Sequence, residues 1–99
     1  MVAEFATVHN YQEQRVFEVV TARAAGYPAF AAKPDLLEDV ACVALNRLPP
    51  RYIRNSIDMS FFMSSQDRAK SEAAIEAAVA FAFDFVQRRQ YGSREGAAG

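Results

Sequence analysis

Apolar residues recur at helical intervals through three stretches of the chain, and prolines mark where two of them are interrupted. Asn10 followed three residues later by Glu13 has the form of a capping box. Glu13, Val16, Phe17, Val20 and Ala24 then trace a first helix up to Gly26. Pro28 and Pro34 bracket an irregular stretch. Pro34, Asp35 and Glu38 have the chemistry of a helix start, with Leu36, Leu37, Val40, Ala41 and Ala44 as the buried face of a second helix. That helix must end near Leu48, because Pro49 and Pro50 donate no backbone hydrogen and push the preceding residue out of the helical region.

Arg51 to Met63 is read as a loop, although Tyr52, Ile53, Ile57, Phe61 and Phe62 could line a short strand. Ser64 or Ser65 can cap a long third helix, rich in alanine and running to about Gln90, with Gly92 available to stop it. On that helix Ile75, Ala78, Val79, Phe81, Ala82, Phe83, Phe85 and Val86 occupy an arc of about 200°, wider than the ~100° stripe that covers one core. The surplus implies a homodimer in which this helix packs across the two-fold axis. The expected fold is therefore all-α: three main helices, a Pro-Pro turn, and a loop or short strand before the long C-terminal helix. Residues 7–91 form a single domain and 92–99 a frayed tail.

Composition agrees with one small globular domain: 99 residues, 52% apolar, 23% charged. One cysteine, Cys42, rules out an internal disulfide and any multi-thiolate zinc site; it is expected in the core of the second helix. No leader-like N-terminus and no membrane-length apolar run is present, so the expected location is cytoplasmic. A net charge of −1 argues against non-specific nucleic-acid binding. The distribution of charge is more informative. Residues 1–45 carry three bases and six acids, 55–99 five bases and six acids, and 46–54 three bases and no acid.

Asn46-Arg47-Leu48-Pro49-Pro50-Arg51-Tyr52-Ile53-Arg54 thus sets three guanidiniums around a rigid turn. Arg47 can simply complement the helix dipole. The functional reading is an anion site with a stacking ring, in which arginine forks bind phosphate or a guanine edge and Tyr52 offers its face to a base. Arg68 and Lys70 at the start of the third helix could join it, beside free helix amides; their plain alternative is an ordinary solvated face. No catalytic constellation is evident. His9 has no nucleophile placed beside it, Glu38 and Asp39 suit a helix start, and Glu72, Glu76, Asp84 and Arg88 suit ion pairs on a polar face. The expectation is a protein that is not an enzyme and holds no metal.

Asn10-Tyr11 with Val16-Phe17-Glu18, the run Ala44-Leu45-Asn46-Arg47-Leu48-Pro49-Pro50-Arg51-Tyr52, and Val86-Gln87-Arg88 together resemble the ComFB family of late competence development proteins. The resemblance spans most of residues 9 to 90. It implies a small, mostly helical homodimer, with two functional branches. One branch carries cysteines before the second helix, read as a zinc site; here Ala31-Ala32-Lys33-Pro34 stands instead, so no zinc is carried over. The other branch is similar to receptors for cyclic di-GMP. It implies binding roles for Asn46, Arg47, Arg51 and Tyr52, with Arg54, Gln66 and Arg68 added as neighbours on physical grounds. The expected function is a receptor passing second-messenger level to an unidentified downstream protein, with Asn55 to Met63 ordering on binding. The alternative is a ligand-free homodimeric interaction module of the competence type, docking through Phe61, Phe62 and Met63.

Overall fold

The computed structural model describes residues 3–55 and 63–98. Ile57, Phe61 and Phe62, and most of the segment expected to order on binding, lie outside the described residues. A two-residue strand, β1 (His9–Asn10), leads into α1 (Tyr11–Arg23), and a 3-10 turn follows over Ala24–Gly26. Then come α2 (Pro28–Ala31), α3 (Pro34–Asn46), β2 (Tyr52–Ile53) and α4 (Ser65–Ala98). The expected mostly α fold is what the chain adopts, with a two-stranded ribbon as its only sheet among the described residues.

Two local signals act as the sequence suggests. Asn10 caps α1, its Oδ1 accepting from the Gln12 N–H at 3.2 Å. Ser64 caps α4 in a reciprocal box: the Asp67 N–H donates to Ser64 Oγ at 3.0 Å, and the Ser64 N–H donates to Asp67 Oδ2 at 3.3 Å. Two others differ. The stretch between Pro28 and Pro34 contains α2, started by Pro28 at its first turn. The long helix passes Gly92 and continues to Ala98, since a glycine within a helix costs only about 1 kcal/mol against alanine and nothing forces the left-handed turn that would end it.

The core lies between α1, α3 and α4. Val16, Val40, Ile75, Val79 and Phe83 are fully enclosed. α2 contributes Phe30, and its ring and that of Tyr27 stack with Phe83 at centroid distances of 5.7 and 4.2 Å. Such offset stacks add about 0.5–1.5 kcal/mol each beyond area burial. Two exposed-side ion pairs tie α1 to α4. Arg15 makes a forked contact with Glu72 (2.8 and 2.6 Å), and Arg23 bonds Glu76 at 2.9 Å. The Arg15 bond holds the Glu72 carboxyl below its ordinary range, and Glu72 then Glu18 raise Arg15.

On α4 the buried residues Ile75, Ala78, Val79, Ala82, Phe83 and Val86 span about 140°. Phe81 and Phe85 account for the rest of the apolar arc and are 38% and 37% exposed. On α3 the buried stripe is Val40, Ala41 and Ala44. Cys42 is exposed, not in the core as expected, because ~100° per residue carries it to the far side of the helix from that stripe.

Candidate functional site

The Pro-Pro turn is held by the start of α1. Pro49 and Pro50 leave the turn with carbonyls to satisfy and few N–H groups to offer, so its partners come from elsewhere in the chain. Gln12, only 3% exposed, donates its Nε2–H to the Pro49 carbonyl at 2.9 Å. The Tyr11 N–H donates to the Arg51 carbonyl at 2.6 Å. The Arg51 N–H donates at 3.0 Å to Asn10 Oδ1, the same oxygen that caps α1. Beyond this, Asn10 pairs with Tyr52 and His9 with Ile53 in antiparallel register. The expected loop at Tyr52–Ile53 is thus a strand, and its partner lies some forty residues upstream, where no local pattern could reveal it.

Asn10 and Tyr11 therefore have a structural task that the sequence alone did not assign them: with Gln12 they fix the backbone from Pro49 to Tyr52. The signal available in principle is that a Pro-Pro turn needs outside hydrogen-bond partners; among the described residues Gln12 is the buried polar side chain that supplies one. Gln12 Oε1 is buried with no partner among the described residues.

With the backbone held, the side chains project outward. Arg51, Tyr52 and Arg54 are exposed, Tyr52 by 69%. Gln66 and Arg68 are exposed in the first turn of α4. Arg51 and Lys70 both act electrostatically on Asp67, whose carboxyl is lowered first by its hydrogen bonds with Ser64 and then by these cations. Arg51 of the turn is thus within electrostatic reach of Asp67 at the head of α4. Among the described residues, Arg51, Arg54 and Arg68 enter no ion pair.

Two features of this neighbourhood bear on the expected site. At the start of α4 one amide is already taken: Ser64 Oγ occupies the Asp67 N–H, and the Asp67 carboxylate sits at the positive end of the helix. The Arg47 guanidinium faces a different part of α4. Asn46 is the last residue of α3, and the Arg47 guanidinium stands 3.7 Å from the ring centroid of Phe81. Phe81 and Asp67 are about four turns apart on α4, or ~21 Å along the axis. Of the candidate residues, Arg51, Tyr52 and Arg54 are thus exposed on the turn and ribbon and Gln66 and Arg68 at the head of α4, while Arg47 makes a cation–π contact further along α4.

The other titratable residues are placed simply. His9 Nδ1 lies 2.8 Å from the Thr7 carbonyl at the exposed surface. Asp84 pairs with Arg88 at 3.0 Å one turn on. Among the described residues no group of three or more His, Cys, Asp or Glu is arranged to hold a metal ion. No described helix is long and apolar enough to cross a membrane.

A short α-helical chain whose central Pro-Pro turn is clamped to its first helix and edged with arginines is the class that these features define. Residues 9–90 match the family model for late competence development protein ComFB, and the chain belongs to that family. The match takes in the clamp, the turn, the ribbon and most of α4. No curated protein and no solved structure matches the chain.

Proposed function

We propose that this chain is a non-enzymatic receptor for cyclic di-GMP that acts as a homodimer and passes the signal to a downstream protein. The observation that supports this reading is the exposed guanidiniums of Arg51 and Arg54 on a turn and ribbon whose backbone is fixed by Asn10, Tyr11 and Gln12, with Arg68 exposed at the head of α4 and none of the three in an ion pair among the described residues. Cyclic di-GMP presents two phosphates and two guanines. Arginine forks suit both, and Tyr52 offers an open ring for stacking. A fixed backbone reduces the ordering cost of binding.

In this reading Arg51, Arg54 and Arg68 meet phosphate or guanine edges, Tyr52 stacks, and Gln66 hydrogen-bonds beside them. Asn46 and Arg47 end α3 and set the turn's entry. Transmission requires that the ligand favour one arrangement of the turn and α4 over another. Isothermal titration with cyclic di-GMP, with GTP and cyclic di-AMP as competitors, tests the reading. Heat displaced by neither competitor is expected. No heat at high ligand concentration with a folded protein overturns it, and the chain is then an interaction module without a nucleotide ligand.

A further inference from the structure

We propose that a second copy of this chain docks on the exposed face centred on Cys42 of α3, with the α1 side of each copy lying against the α4 side of the other. The face is apolar where a monomer would be expected to be wet. Among the described residues the large exposed apolar side chains are Phe5, Val8, Phe17, Tyr52, Phe81 and Phe85, and three of these six, Phe17, Phe81 and Phe85, flank α3. Cys42 joins the two flanks. It lines a groove of about 610 Å³ shared with Phe17 and Leu37 on the α1 side, and another of about 390 Å³ shared with Val43 and Phe85 on the α4 side. The apolar surface is therefore continuous across the helix, of the kind that marks a protein contact.

The charges say what covers it. On the α1 side the charged residues of the groove are Glu13 and Glu38, with no base among them. The two arginines of α1 are turned away, bound to Glu72 and Glu76 of α4. On the α4 side Arg47 lies over Phe81 and Arg89 over Phe85, at 3.7 and 5.7 Å from the ring centroids, and Asp39 of α3 is the acid that shares that groove. One flank is acidic and apolar, the other basic and aromatic, and both belong to the same chain. A two-fold axis running along α3 places the α4 flank of each copy over the α1 flank of the other. Every favourable charge contact is then made twice, and the two Cys42 thiols come near the axis.

This inference rests on the homodimer in the function proposed above and is independent of its ligand. Cys42 is the chain's one cysteine, so a short bismaleimide can join two copies only through it. The intact protein is expected to sediment as a dimer and to be cross-linked by that reagent in high yield. Glu38→Arg or Arg89→Glu alone is expected to weaken the dimer at least about tenfold, and the two together in one chain to restore it. Both positions are exposed, and circular dichroism checks that each variant is folded. A monomer under these conditions overturns the proposal, as does a dimer whose Cys42 does not cross-link or whose stability ignores both reversals. Cyclic di-GMP titrated into the same samples separates the two readings: a cross-linked dimer that binds nothing refutes the ligand alone, and a ligand-binding dimer that is not cross-linked refutes this face alone.

Discussion

Replacing Asn10 with alanine removes one side-chain oxygen that serves two hydrogen bonds in different parts of the fold. The bond from the Gln12 N–H is an ordinary helix cap, and losing such a cap costs about 1 kcal/mol. The bond from the Arg51 N–H holds the start of β2 and is worth about another 1 kcal/mol. Asn10 Oδ1 is the side-chain acceptor common to both, so the two losses come together and Asn10→Ala should destabilise the protein by about 2 kcal/mol. At this chain length that corresponds to a melting midpoint lower by about 8–16 °C. Asn10→Asp keeps an oxygen at the same place and should fall within about 0.5 kcal/mol of the parent. Urea unfolding followed by circular dichroism measures both, the midpoint shifting with the slope unchanged. A loss below about 0.5 kcal/mol in Asn10→Ala, or an Asp variant as unstable as the Ala variant, would refute the shared-acceptor argument.

Gln12→Glu should be more damaging, by about 3 kcal/mol at neutral pH, because a buried carboxylate would then face the Pro49 carbonyl with no hydrogen to donate. Burial raises the introduced group's folded pKa above its unfolded value, so the deficit should shrink as the pH is lowered and the carboxyl regains a proton; a deficit equal at pH 7 and pH 4 would count against it. Glu72 has the opposite sign. Its pKa is lowered in the fold, so its contribution is present above the ordinary value of 4.5 and is lost as pH falls through the lowered value. With its side chain 36% exposed, screening limits that contribution to about 1 kcal/mol or less, and Glu72→Gln should flatten this part of the acid limb in a stability–pH series. Parallel curves for the two proteins would contradict the assignment.

Local chemistry made the helices legible. The Asn10 cap, the Pro34 start, the Pro-Pro stop and the serine at the head of α4 each act through residues within four positions, and each lies where the sequence suggests. The apolar arc of α4 is wider than its buried stripe, and the excess is Phe81 and Phe85, which are partly exposed. What escaped was non-local or depended on a precise helical phase. The pairing of β2 with β1 and the grip of Gln12 on Pro49 join segments some forty residues apart. Cys42 looked like core by its neighbours in sequence, yet one position beyond Ala41 already turns it away from the buried stripe. For the candidate site, charge counting found the arginines, but only the three-dimensional arrangement separates Arg47, on Phe81, from Arg51, whose backbone is held by Asn10 and Tyr11.

The central claim is that the arginines on the clamped turn receive cyclic di-GMP. Its most direct test is the binding isotherm of Arg51→Ala beside that of the parent protein. The backbone groups of Arg51 make the contacts with Asn10 and Tyr11, and its side chain is exposed, so the variant should keep the parent's melting midpoint. A lost hydrogen bond to a charged partner is worth about 1.5–3 kcal/mol, which is a weakening of roughly ten- to a hundredfold. The account predicts selective binding by the parent and that loss in the folded variant. Equal isotherms for the two, or no binding by the parent, would contradict it.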